Sequence, residues 1–523
     1  MHGAFPHPSS MTPGARTAVR VPSALCLAVG SLAWLSFAAA TALAQPNPAP
    51  EATPQTGTAS ARPLPAIPLS QDEVFAWVDR THPLLKSAGT DKIAARGRLL
   101  KAMAAFEPTF VNDTEMERFI SSSSPQKGTQ MVGFNDTFVD FKHPSGIKGL
   151  AGFRSSLGDA RIPDLKIAGD NQLLIGASIP LLRGLMVNPE SAEMQRSELA
   201  DPRADIKIAE TRQGLFLAAA TQLWDWTSAA KFVDVAKRAV KVAEDRLKQI
   251  DQRAKAGAAA PLDAVEAAQE VQRRKESAIA AQRLLEQESM KMSLFLWDRD
   301  HPAMPALDRV PDFPDAASTP TADAVVAHKL QARAERPELR EIDIEAKLNN
   351  IDLALAKNNL LPSLDADATP SRTPEKFVLG LGYKFGLELR VPLMQRRGRG
   401  EVLEAQGRAD RLVLTQKYRE QQILVDVDNA LSAIERAKER TQAAAESLRL
   451  ARTLEEGERF RFSLGATSVL FVNLRERNTV DSEVQLIRAK ADLQKALANY
   501  QWAIGAWARN QPSAVPVQYK HVR

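Results

Sequence analysis

Two stretches of this chain, roughly 250 residues apart, carry the same succession of signals. His82-Pro83-Leu84-Leu85 opens a helical segment that closes at Phe106-Glu107-Pro108, and Arg336-Pro337-Glu338-Leu339 opens another that closes at Leu360-Leu361-Pro362. Proline to proline is 25 residues in both. A strand-like run then ends at Ile179-Pro180-Leu181 or Val391-Pro392-Leu393, a long polar helix follows, a Gly-Ala pair breaks it at Gly257 or Gly465, and a last helix ends among tryptophans. This is the mark of a helix-strand-strand-helix unit doubled in tandem. The repeats occupy residues 70–297 and 321–508, joined by a Pro-rich linker over 298–320 and followed by a tail over 509–523.

The N-terminus points to export. Arg16 and Arg20 precede an apolar run from Val21 to about Ala40, and Ala42-Leu43-Ala44 supplies the A-x-A pattern of a cleavage site, so residues 1–44 read as a signal peptide, with Met11 an alternative start. The competing reading is an uncleaved inner-membrane anchor, since about 20 apolar residues also span a bilayer. No later window is apolar enough for a membrane helix. Residues 45–69, rich in Pro, Ala and Thr, read as a flexible linker.

Cys26 is the only cysteine and lies in the signal. The mature chain therefore has no disulfide, thiolate metal ligand or thiol nucleophile, and Gln45 rather than a cysteine follows the cleavage point, which excludes lipid anchoring there. The net charge is +5 over 523 residues, with both signs interleaved, so nucleic-acid binding is not indicated.

Residues Phe377 to Val391 alternate almost without error. Phe377, Leu379, Leu381, Tyr383, Phe385, Leu387 and Leu389 stand on one face, and Gly380, Gly382, Lys384, Gly386, Glu388 and Arg390 on the other. Fifteen residues is long for a strand of a soluble sheet and suits a membrane barrel with a lipid face and a polar lumen. Ser363 to Pro370 forms its partner, Leu173 to Leu181 alternates likewise in the first repeat, and Thr109 to Phe119 is a weak candidate. About four strands result, and a transmembrane barrel needs at least eight. The first hairpin carries some 42 residues more than the second, around 121–165, which read as a surface loop, or as a plug or receptor element.

The rest is helix of unusual length. Ala192 to Lys255 and Gly400 to Leu464 each reach about 90 Å at 1.5 Å per residue, interrupted only by Pro202. Ile423, Val427, Ala430, Ile434, Ala437, Thr441, Ala444, Leu448 and Ala451 step by four and three, and Phe216, Ala219, Leu223, Trp226, Ala230 and Val233 keep the same rhythm; these are coiled-coil seams. Five histidines outside the signal form no close ligand pair, and neither G-x-S-x-G nor a P-loop occurs, so no catalytic site, cofactor or metal is expected.

Taken in order, these elements resemble the TolC-type outer-membrane efflux proteins over about residues 70–508. The resemblance implies a mainly α fold with a transmembrane β-barrel: a homotrimer in which each chain gives four strands to a shared twelve-stranded barrel and long helices to a periplasmic α-barrel. It implies a passive duct of a tripartite efflux or type I secretion system in the outer membrane of a Gram-negative bacterium. Its partners would be a periplasmic membrane-fusion adaptor, an inner-membrane pump of the ABC or resistance-nodulation-division type, and lipid.

By the same resemblance, adaptor docking falls on the tips Gly257, Ala258, Ala259, Ala260 and Pro261, and Gly465, Ala466, Thr467 and Ser468. The tunnel constriction falls on Leu470, Phe471 and Leu474, where well-known members often carry aspartates, with Asp263 at the matching place in the first repeat. An apolar ring in place of an acidic one points to closure by dewetting. Arg396, Arg397 and Arg399, after the last strand, are candidates for headgroup phosphates or a solvated basic turn. The alternative function is a periplasmic coiled-coil adaptor, although such proteins normally carry one hairpin rather than two.

Overall fold

The computed structural model describes residues 67–508 apart from 122–127, 159–160, 163–164, 167–171, 315–318 and 371–382. The expected signal peptide, most of the linker after it, the C-terminal tail and the positions of Phe377, Leu379 and Leu381 lie outside the described residues. In the first half, α1 (Gln71–Thr81) and α2 (Pro83–Met103) lead to β1 (Thr109–Ser121), β2 (Gly128–Lys142) and β3 (Lys148–Gly158). A two-residue ribbon, β4 (Arg161–Ile162) with β5 (Leu165–Lys166), precedes β6 (Gln172–Pro180), and α3 (Pro189–Glu198), α4 (Ala200–Lys255) and α5 (Pro261–Ser293) follow. A second ribbon, β7 (Trp297–Asp298) with β8 (His301–Pro302), separates the halves. The second half runs α6 (Ala322–Glu335), α7 (Pro337–Asn358), β9 (Ser363–Pro370), β10 (Tyr383–Arg390), α8 (Arg396–Ser463) and α9 (Val469–Ala503).

The two halves share the geometry of one helix start. His82 and Arg336, each preceding a proline, take φ/ψ of −64/125° and −63/125°, because the proline ring forbids the helical well to the residue before it. Each proline then starts a helix at its first position, where its missing N–H goes unneeded. Both preceding side chains are buried. Nδ1 of His82 accepts from the Leu84 N–H at 3.2 Å, and burial draws the imidazole below its ordinary value, only partly opposed by the Leu294 carbonyl. The folded chain therefore resists a proton that the unfolded chain accepts near pH 6.5, so stability is full above that pH and falls below it. Thermal unfolding of the parent should shift downward between pH 7.5 and 5.5 by more than that of His82→Asn; parallel shifts would refute the assignment. Arg336 takes the equivalent place with a different solution, its guanidinium 4.1 Å from the Trp502 ring and bonded to Glu338.

The long helices form as the heptad rhythm predicts, with two differences at their starts. Pro202 is the third residue of α4, and its ring would meet the Glu198 carbonyl four residues back, so the expected helix from Ala192 is divided at Leu199. In the second half α8 begins at Arg396, not Gly400. The 56 residues of α4 and 68 of α8 span about 84 and 102 Å.

Ile423, Val427, Ala430 and Ile434 are buried along α8, and Phe216, Ala219, Leu223, Trp226 and Val233 along α4. Each fully buried Ile, Leu or Val contributes roughly 1.5–3 kcal/mol, which holds α4 on α5 and α8 on α9. Phe75 stacks on Phe216 at 4.3 Å and Trp507 meets Phe75 edge-on at 5.1 Å, closing the first core against the end of the second repeat.

The sheet departs most from expectation. It has six strands in the order β1-β2-β3-β6-β9-β10, every neighbour antiparallel, where the sequence suggested about four. The extra length of the first hairpin, expected as a surface loop, supplies β2 and β3. The register puts Phe110 opposite Val139, Val139 opposite Ala151, Ala151 opposite Ile175, Ile179 opposite Ala366 and Ala366 opposite Leu387. Facing residues share a side of the sheet, so one apolar face crosses all six strands. Asn112, Thr114, Asn135 and Thr137 interrupt that face and hydrogen-bond one another, Asn112 donating to Thr137 at 2.7 Å. The opposite face carries Asp113, Asp136, Asp140, Asp365, Asp367 and Glu388, and Arg154 donates through Nε to Asp136 at 2.5 Å.

Candidate functional site

At the far end of each helical hairpin the chain turns through a left-handed glycine. Gly257 (φ 73°) and Gly465 (φ 74°) follow the last helical residues, and the next amides return to the preceding turn: Ala258 to the Arg253 carbonyl at 2.8 Å, Ala466 to that of Arg461 at 2.9 Å. This is the Schellman closure, and open space surrounds both glycines, so backbone conformation alone requires them. Gly257, Ala258, Ala260, Pro261, Gly465, Ala466 and Ser468 are exposed and Ala259 and Thr467 half-exposed, which leaves both tips available to a partner.

The candidate constriction residues share one side of α9. Leu470, Phe471 and Leu474 are 52, 53 and 43 % exposed, while Val469, Val472 and Asn473 turn inward. Within 100° of helix circumference the three make an apolar stripe that the single chain leaves uncovered. Asp263, half-exposed in the first turn of α5, does not line the depression beside Leu470. Its walls there are Glu266, Gln269, Glu270 and Arg273 of α5.

Directly behind the stripe lies a charged network that sequence inspection missed. Glu270 of α5, 4 % exposed, receives Arg274 Nε at 2.9 Å and lies 3.2 Å from Arg477 of α9. Glu476 of α9 receives Arg246 of α4 at 2.5 Å and Arg459 of α8 at 2.8 Å. Each repeat thus places a buried carboxylate against a guanidinium of the other. Burial draws Arg246 below its ordinary value, an effect Glu476 opposes. One signal was present in the sequence: Glu270 and Glu476 stand three and four residues after the apolar positions Ala267 and Val472, on helix faces that point inward.

At the sheet, Phe385, Leu387 and Leu389 are exposed on the apolar face; Tyr383 begins β10, and its side chain is outside the described set. Arg396, Arg397 and Arg399 occupy the first turn of α8 instead of a turn before it, all exposed. Arg397 pairs with Glu401 at 2.9 Å, and Asn359 and Arg397 together hold that carboxyl below its ordinary value. Among the described residues no helix is long and apolar enough to cross a membrane.

Residues 330–506 match the sequence profile of the family described as outer membrane efflux protein. No curated protein matches the chain by sequence. Among solved structures, a membrane protein from Pseudomonas aeruginosa is similar at 16% identity and a TM-score of 0.64, covering 86% of this chain and 93% of its own. The CmeC outer membrane channel of Campylobacter jejuni is similar at 12% identity and 0.61 (83% and 85% covered), and the outer membrane protein VceC of Vibrio cholerae at 12% and 0.61 (83% and 96%). The likeness to these structures is one of fold. The chain thus carries the profile of the outer membrane efflux protein family on its second half, residues 330–506, and shares the fold of these solved membrane proteins over more than four fifths of its length.

Proposed function

We propose that three copies of this chain form a passive exit duct in the outer membrane of a Gram-negative bacterium, without enzymatic chemistry, cofactor or metal of its own. Strands from the three copies close one barrel in the bilayer, and the long helices continue it as a tunnel into the periplasm. There the Gly257 and Gly465 tips meet a membrane-fusion adaptor coupled to an inner-membrane pump of the ABC or resistance-nodulation-division type. The observation that carries this is the continuous apolar face of a sheet too narrow to close alone, set on helices of 84 to 102 Å. A periplasmic adaptor has no use for such a face.

The resting duct closes on the Leu470, Phe471 and Leu474 stripe, three copies of which make an apolar collar that excludes ions by dewetting. Phe471→Ser and Leu474→Ser should each raise single-channel conductance in planar bilayers several-fold, with little response to divalent cations. Unchanged conductance in both would remove these residues from the gate. A protein extracted as a monomer from the inner-membrane fraction would refute the duct itself.

A further inference from the structure

The two outer strands of the sheet, β1 and β10, have no strand beyond them among the described residues. A bilayer offers nothing to an open edge, so each must pair with another copy of the chain. β1 runs away from the helices and β10 runs back toward them, and the edges of adjacent copies therefore meet antiparallel, like every other pair in the sheet. Resting on the trimeric reading above, we propose that the barrel has eighteen strands, with the β2–β3 hairpin built into its wall in every copy.

The alternative is a twelve-stranded wall in which β1 pairs directly with β6 and the hairpin stands aside. Three observations oppose it. The β1–β2 ladder runs without interruption from Thr109 opposite Asp140 to Ser121 opposite Gly128, and β3 continues into β6 from Lys148 opposite Ser178 to Arg154 opposite Gln172. A direct β1–β6 pairing would break both. The hairpin also carries the apolar band in its own right: Val139, Phe141 and Phe153 are 38 to 47 % exposed on the face that Phe385 and Leu387 share, a pattern without purpose for a ribbon in water.

Third, the turn between β2 and β3, residues 143–147, is docked at the helix end of the sheet. Met186 N–H donates to the Ser145 carbonyl at 2.9 Å, Asn188 Nδ2 to that of Pro144 at 2.8 Å, and Lys142 pairs with Glu190 at 2.5 Å. The inner end of the hairpin thus sits on the same chain segment that leads β6 into α3.

Strands about 4.8 Å apart and tilted about 40° give a wall roughly 36 Å across for eighteen strands, against roughly 24 Å for twelve. The test uses the full chain with Cys26→Ser, which leaves no other cysteine. Phe110→Cys is combined in turn with Phe385→Cys, Leu387→Cys and Leu389→Cys, and separately with Ile175→Cys and Ile179→Cys, followed by oxidation and non-reducing gels. One of the first three should yield covalent trimers, and the β1–β6 pairs, with β2 and β3 between them, should yield no bond. Electron-microscopic end views of the parent should show a wall near 36 Å. An intrachain β1–β6 bond, a trimer that links in none of the three registers, or a wall near 24 Å would each overturn the proposal. A detergent-extracted particle that is not a trimer would instead overturn the reading on which it rests.

Discussion

Glu476→Ala should loosen the hairpin-tip end of the molecule more than any single change on its surface. The carboxylate is 8 % exposed and the Arg246 guanidinium facing it 11 %, so the substitution leaves a buried cation without its partner. Removing one member of a buried pair costs about 3–5 kcal/mol, most of it the desolvation of the charge left behind. Arg459 also loses its acceptor on α9, although at 41 % exposure it can turn to water. The measurement is limited proteolysis with trypsin in detergent. Cleavage near the tips should accelerate markedly in Glu476→Ala and return toward the parent rate in the double variant Arg246→Met/Glu476→Leu, where a buried apolar pair replaces the charges. A cleavage rate equal to the parent's would show that the helices, not the ion pair, hold the hairpins together.

Leu387→Arg should block assembly where Gly386→Arg does not. The two are adjacent in β10 and point to opposite faces, Leu387 opposite Ala366 and 75 % exposed, Gly386 opposite Asp367. If the apolar face meets lipid as proposed, an arginine there near mid-bilayer costs roughly 2–4 kcal/mol, and in a trimeric barrel each copy bears that cost. On the other face a side chain at position 386 meets nothing closer than the Asp367 Cβ at 3.9 Å, and Asp367 offers it a carboxylate. Yield of heat-modifiable oligomer from outer membranes, compared between the two variants, decides the matter. Equal yields would mean that the apolar face is not turned to lipid.

Much of this architecture could be read from residue order because the governing interactions are local. Pro83 and Pro337 start their helices, and Gly257 and Gly465 end theirs, by backbone sterics that no distant contact alters. The seam at Ile423, Val427, Ala430 and Ile434 is periodic because one partner helix lies along it. The strands β2 and β3 escaped notice because their alternation is blurred: Phe134 and Phe138 stand on the charged face, while Asn135 and Thr137 stand on the apolar one. Arg154 lies over the Phe134 ring at 5.2 Å, and the Asn-Thr cluster satisfies its own hydrogen bonds, so each exception is paid for by a neighbour on another strand. Contacts of that kind have no signature in a single segment. The same holds for the Glu270–Arg477 and Glu476–Arg246 pairs, whose members are separated by more than 200 residues.

Tags and epitopes are accepted by a protein where a chain reversal touches nothing else, and residues 143–147 do not meet that condition. Gly146 has φ 93°, and a Cβ there would come within 2.2 Å of the Gly184 carbonyl oxygen. Asn188, which holds Pro144, also caps α3 by accepting the Ser191 N–H at 2.9 Å, so one side chain serves both the reversal and the first helix of the return path. Lengthening the turn would pull Asn188 from one duty or the other. Nor can the β2–β3 hairpin be excised alone: its removal would take the Pro144 acceptor from Asn188 Nδ2, expose the Gly184 backbone and leave β1 and β6 as strangers, so any shortened relative of this chain must have resettled that corner as well as the sheet.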